Sequence, residues 1–246
     1  MIELKTKLKK AGPLLAVILG VGLISPLKVY ADGNIVNKIY HPYVDALENE
    51  IELRSIIQDK QPDKINPKQV HLLSFGTTIG QSWFAEAKVI GSRPQAGNFD
   101  VEAYELELKW QLTEQGEYSA DWGVLFEYEQ KFEEDIQEFK IGLLAEKEFG
   151  RFSGAANGFL IQEWGDNIKD EFETALSLQA RYRYSRALEP ALEMYIGQDT
   201  TAIGPVLLGN INLGIRKSFN WEAGVIFGVD HLSPDQTFRL LFEYEF

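Results

Sequence analysis

The sequence predicts an all-β fold: a single antiparallel transmembrane β-barrel of about twelve strands, within a range of roughly ten to fourteen. Three observations carry this. Apolar and polar residues alternate through one segment after another, the period of a strand with two unlike faces. The links between these segments alternate between tight turns and longer polar connections. Beyond an apolar run at residues 11–24, no stretch has the hydrophobicity of a spanning helix, which needs about 20 apolar residues. Membrane insertion therefore has to be as β-structure.

At the N-terminus, Lys5, Lys7, Lys9 and Lys10 precede the apolar run, and Val29 and Ala31 take the small-residue positions of a cleavage site. That layout reads as a secretory signal peptide over residues 1–31, with a mature chain from Asp32. A single membrane anchor is the competing reading, but the run is too short to span. Residues 32–48 read as a lead-in, and 49–246 as the barrel. Strands are expected at about 49–58, 69–77, 82–91, 99–112, 119–129, 135–147, 151–163, 171–184, 190–198, 206–217, 220–229 and 236–246. The fourth sets Tyr104, Leu106, Leu108, Trp110 and Leu112 against Glu105, Glu107, Lys109 and Gln111. The eighth sets Phe172, Leu176, Leu178 and Ala180 against Glu173, Ser177, Gln179 and Arg181. Small residues fill both faces of the seventh, so its parity stays open. The phase slips near Glu102 and Ala103, where a bulge is expected.

The last strand is the most informative. Phe238, Leu240, Phe242, Tyr244 and Phe246 alternate with Arg239, Leu241, Glu243 and Glu245, and the chain ends on Phe246. A terminal Phe closing such a strand resembles the C-terminal signature of Gram-negative outer-membrane β-barrels. The resemblance is to the superfamily as a whole and to no characterised subfamily. It implies a place in the outer membrane among lipid and lipopolysaccharide, and a final strand read by the barrel-assembly machinery. It also implies short periplasmic turns, longer outer loops and both termini on the periplasmic side. Twelve strands satisfy that rule, and the lead-in at 32–48 becomes periplasmic. Trp83, Trp110, Trp122, Tyr182, Tyr184, Trp221, Tyr244 and Phe246 then all fall on the apolar face at the periplasmic ends, where amphipathic aromatics mark a membrane interface. Phe126, Tyr128 and Phe139 mark the outer rim less sharply. Alternation alone also fits a lipocalin-like soluble barrel with the apolar face inside.

With lipid outside, the polar face lines the lumen. Near the periplasmic end it brings Arg181 and Arg183, Glu193, Arg216, Glu222, and Arg239 with Glu243. Higher up come Glu52 and Arg54, Glu86 and Lys88, Glu105, Glu107 and Lys109, Glu127, and Glu138 with Lys140. Opposite charges across neighbouring strands support a sheet by roughly 0.2–1 kcal/mol each. Two readings stand side by side: a charged constriction that passes a small solute or ion, and a salt-bridged wall that braces a filled lumen. Carboxylates outnumber cations on this face, so a pore would prefer cations. The loops are too short to form an evident plug.

Composition closes off other classes. The formal net charge is -13, and residues 1–31 carry five lysines against Glu3, which leaves the mature chain near -17. That acidity opposes nucleic-acid binding. There is no cysteine and only three His and two Met, which leaves few soft metal ligands. No cofactor, metal site or enzymatic activity is expected. A hydrolase is weighed on His71 with Ser74 or Ser55, since some twelve-stranded outer-membrane barrels are phospholipases with a lipid-facing His–Ser pair. His231 beside Asp230 would suit a protease only with a paired acid, and His41 has no evident partner. The acidic run at Glu133, Glu134 and Asp135 could hold a hard cation but reads first as solvated charge.

Overall fold

Successive residues of a strand face opposite ways, and closing a sheet on itself turns that alternation into an inside and an outside. The computed structural model describes residues 36–59, 68–93, 98–132, 135–166 and 168–246. The expected signal peptide, the first residues of the lead-in, and Glu133 and Glu134 lie outside them. The strands are β1 (Asn49–Asp59), β2 (Lys68–Ile79), β3 (Trp83–Arg93), β4 (Asp100–Gln111), β5 (Asp121–Lys131) and β6 (Ile136–Phe149). They continue as β7 (Phe152–Gly165), β8 (Glu171–Tyr182), β9 (Glu189–Ile196), β10 (Thr201–Gly214), β11 (Lys217–Gly228) and β12 (Gln236–Glu245). Each pairs antiparallel with its neighbours in sequence, and β1 pairs with β12 to close the barrel. Closure leaves no free edge, so the wall's backbone groups can be satisfied in lipid.

Burial follows the strand period. On β1, Glu52 and Arg54 are 1% and 0% exposed, whereas the intervening Leu53 is 46% exposed. The outer wall carries Leu73, Phe75, Val89, Leu106, Leu143, Leu160 and Phe242, all large, apolar and exposed. Charges inside and hydrocarbon outside is the reverse of a water-soluble barrel, and it excludes the lipocalin-like alternative. At the rim carrying the β1 start and the β12 end, the one expected on the periplasmic side, Trp83 stacks on Trp110 at 4.9 Å and Phe152 packs on Tyr182 at 4.9 Å. Tyr244 stacks on Phe246 at 5.5 Å, and Trp122 and Tyr184 stand exposed beside this girdle. Trp221 lies over Gly209, where a Cβ would meet its Nε1 at 2.4 Å. At the outer rim Phe139 is exposed, while Phe126 and Tyr128 are half-buried.

Three details refine the expected strands. The β3–β4 register shifts between Ile90 and Gly91, which face Ala103 and Val101, so Glu102 is the bulged residue. β10 starts at Thr201, five residues earlier than expected, and runs through Pro205. Proline lacks the ladder donor; Gly204 and Pro205 stay paired with Glu193 and Leu192 on β9 while the β11 ladder is interrupted beside them. On β7 the inward residues are Ser153, Ala155, Asn157, Phe159 and Ile161, which resolves its parity.

The lumen is packed, not empty. Val36 and Ile39 pack inside with Ala155, Tyr195, Ala202, Val206, Leu208 and Ile226. Tyr40 packs with Leu125, Leu144, Phe159 and Ile161. The stretch expected as a periplasmic lead-in therefore lies, from Val36 onward, within the barrel.

Candidate functional site: a lumen divided by the N-terminal segment

Residues 36–47 descend inside the barrel from the level of Ala202, near the outer end of β10, to the periplasmic rim. The wall grips their backbone. Asn157 Oδ1 accepts the Tyr40 N–H at 2.7 Å, and its Nδ2 donates to the Tyr40 carbonyl at 2.9 Å. The Tyr195 hydroxyl donates to the Asn37 carbonyl at 2.9 Å, and Gln111 Oε1 accepts the Val44 N–H at 2.8 Å. The segment's side chains reach the wall in turn. Lys38 pairs with Glu52 at 2.8 Å, the Tyr40 hydroxyl donates to Glu127 at 2.8 Å, and the Tyr43 hydroxyl donates to Asp121 at 2.9 Å. His41, which had no evident partner in sequence, has its Nδ1 at 2.7 Å from Glu146.

Two buried ion networks flank this segment. Lys88 Nζ contacts Glu105 at 2.7 Å, Glu86 at 3.4 Å and Glu127 at 3.6 Å, and also bonds Glu107. Carboxylate oxygens of Glu105, Glu107 and Glu127 lie within 4.8 Å of one another. A hard cation suits such a cluster, but here the Lys88 ammonium fills that role. Opposite, Arg239 meets Glu193 at 2.9 Å and Glu222 at 2.9 Å, and bonds Tyr195 and the Asn37 carbonyl. Arg54 bonds both Glu52 and Asn37. Buried charges survive only when paired this way.

The segment leaves a cavity on either side. The outer one, of about 140 Å³, is lined by Ile56, Val70, Leu72, Glu105, Glu129, Glu138, Lys140 and Glu173 among others. The periplasmic one, of about 500 Å³, is lined by Glu50, Lys109, Arg181, Arg183, Glu222 and Glu243 among others. Lys38 and Tyr40 border both, which makes the segment the partition between them. Just before β1, Glu48 also faces the periplasmic cavity. Burial, then the neighbouring Glu245, Glu50 and Asp45, push its carboxyl up to about 8.

Of the lumen residues read from sequence, the structure puts all but one on the inner face. Arg216 instead sits in the β10–β11 turn at a φ of 55°, and its Nη2 donates to the carbonyls of Ala46 and Leu47 at 3.0 and 2.6 Å. It latches the foot of the segment. Leu47 also has a positive φ of 63°, a conformation that needs such support outside glycine. Sequence reasoning missed Asn37, Lys38, Tyr40, Tyr43, Asn157 and Tyr195. Residues 37–43 show no strand period, and their one signal is that five of these seven side chains can hydrogen-bond.

The hydrolase candidates separate clearly. Ser55 Oγ and His71 Nδ1 are 2.9 Å apart on the outward face, whereas Ser74 is buried inside. The His71 ring packs near Phe99 at 5.9 Å. A triad also needs a group that orients the base, and among the described residues no carboxylate pairs with His71. Asp230 is committed to its own loop: it accepts from the Leu232 and Ser233 N–H groups and from the Ser233 hydroxyl. Burial pushes its carboxyl up, but these hydrogen bonds outweigh that and hold it below its ordinary value.

No protein-family model matches the sequence, and no curated protein matches it. Solved structures do. The COG4313 outer membrane channel from Pseudomonas putida F1 is 12% identical with a TM-score of 0.54, over 88% of this chain and 99% of that one. KdgM porin in complex with disordered oligogalacturonate is 12% identical with a TM-score of 0.53, over 80% and 99%. The translocator domain of autotransporter NalP from Neisseria meningitidis is 9% identical with a TM-score of 0.52, over 83% and 89%. The fold is that of a Gram-negative outer-membrane β-barrel. The apolar outer wall is suited to contact with lipid.

Proposed function

We propose that the barrel is a porin-like passive route for a small solute or ion, with residues 36–47 as its constriction. The observation that carries this is the pair of charged cavities, one toward each side of the membrane, that meet at Lys38 and Tyr40. Carboxylates outnumber Lys and Arg seven to four around the outer cavity and eight to five around the periplasmic one. Such linings favour cations. The chemistry of the reading is non-enzymatic, and the porin and channel folds named above are consistent with it. During biogenesis, the strand ending in Phe246 is the segment offered to the assembly machinery.

Planar-bilayer recordings of the refolded chain from Asp32 test the proposal. Small cation-preferring steps that grow when residues 32–44 are removed are the expected result. Strong anion selectivity, or silence of both forms, refutes it. A specific observation favours a second reading, a braced non-conducting wall: the segment is hydrogen-bonded to β4, β5, β6, β7 and β9 at once. Silence of both forms, with the barrel folded, would establish that reading instead.

A further inference from the structure

The outer cavity has two unlike walls. One is aliphatic: Ile56, Val70, Leu72, Ile90 and Ala103, from β1 to β4, form a cluster that lines the cavity. The other is acidic. Glu105, Glu129, Glu138 and Glu163 line the cavity and, with Glu171 beyond it, stand opposite one another in register across β4 to β8. Like charges directly opposite destabilise a sheet, so a row of five calls for cations. Lys88 serves Glu105 at 2.7 Å, Lys140 serves Glu138 at 3.4 Å and Lys131 serves Glu163 at 3.6 Å. Glu129 and Glu173, which both line the cavity, make no ion pair among the described residues. Ser177 lines it too, is only 3% exposed, and makes no side-chain hydrogen bond among the described residues. Its hydroxyl is therefore open to a partner in the cavity.

Resting on the transport reading above, we propose that this cavity selects an organic cation: a primary ammonium on a compact apolar body. The ammonium offers its hydrogens to Glu129, Glu173 and the Ser177 hydroxyl, while the body lies on the Ile56, Leu72 and Ile90 wall. An inorganic cation would leave that wall facing water, and an organic anion would meet the unpaired carboxylates. The size fits one ring, since an apolar cavity near 150 Å³ holds benzene.

Calorimetric titration of the full refolded barrel in detergent, with benzylammonium, methylammonium and benzoate as probes, tests this. Benzylammonium is expected to saturate one site at least tenfold tighter than methylammonium, with no saturable benzoate binding. Glu129→Gln with Glu173→Gln is expected to weaken benzylammonium at least tenfold, and the smaller change Ser177→Ala several-fold should the double variant fail to fold. Equal binding of methylammonium, binding of benzoate, or an unchanged affinity in the variants overturns the proposal. The transport reading fails separately. A barrel that binds benzylammonium but never conducts keeps the site and loses the channel, whereas one that conducts cations without binding benzylammonium loses the site alone.

Discussion

Replacing Tyr40 with Ala tests whether the N-terminal segment closes the lumen. The Tyr40 ring meets Phe159 edge to face at 6.3 Å and packs with Leu125 and Leu144, while its hydroxyl donates to Glu127 at 2.8 Å. Truncating a buried aromatic to Ala costs about 3–5 kcal/mol. If that free energy comes off the seated segment, the ratio of released to seated rises roughly a hundred- to several-thousandfold, at about 1.4 kcal/mol per tenfold. Tyr40→Phe keeps the ring and loses the hydroxyl's bond to Glu127, with the longer 3.5 Å one it accepts from Lys88; a hydrogen bond to a charged group is worth about 1.5–3 kcal/mol, or roughly ten- to a hundredfold. Single-channel open probability in a planar bilayer reads both, and the chain lacking residues 32–44 sets the ceiling. The expected order is wild type, Phe, Ala, truncation. Wild-type conductance in Tyr40→Ala, with the truncated chain conducting freely, would refute the reasoning, because the partition would then not depend on its largest buried side chain.

Two further predictions concern stability. Lys88→Met leaves Glu86, Glu105, Glu107 and Glu127 without their shared ammonium; breaking such a buried group costs about 3–5 kcal/mol, which guanidinium unfolding in lipid vesicles should register as an earlier midpoint. Glu48 gives a pH signature. Its folded-state carboxyl is raised from 4.5 to about 8, so its contribution is full below about 4.5 and is lost as pH rises toward 8. The stability difference between Glu48→Gln and wild type is therefore expected to grow in favour of the variant across that window, and a difference flat with pH would remove the shift.

The wall was readable because a strand's period is short and strict. Each of the strands with clean alternation, such as β4 with Glu105, Glu107 and Lys109, needed only its own residues to assign a face. Even the bulge at Glu102 showed as a slipped phase. Where side-chain size carried no contrast, on β7, parity was hidden until register with β6 and β8 fixed Asn157 inside. Pro205 misled for a local reason: it breaks the ladder on one side only, and sequence does not say which neighbour a strand can spare.

The sequence by itself determined the barrel, its apolar outer wall, the aromatic girdle and nearly all of the charges inside. These follow from alternation, a property of neighbours along the chain. Only the tertiary structure decided that residues 36–47 partition the lumen, that Arg216 latches their foot, that Ser55 rather than Ser74 meets His71, and that Glu129 and Glu173 line the outer cavity with no ion pair among the described residues. Tyr40 and Asn157 are 117 positions apart. A contact of that kind carries no period and no spacing, because it forms only once closure has brought all twelve strands around a single interior.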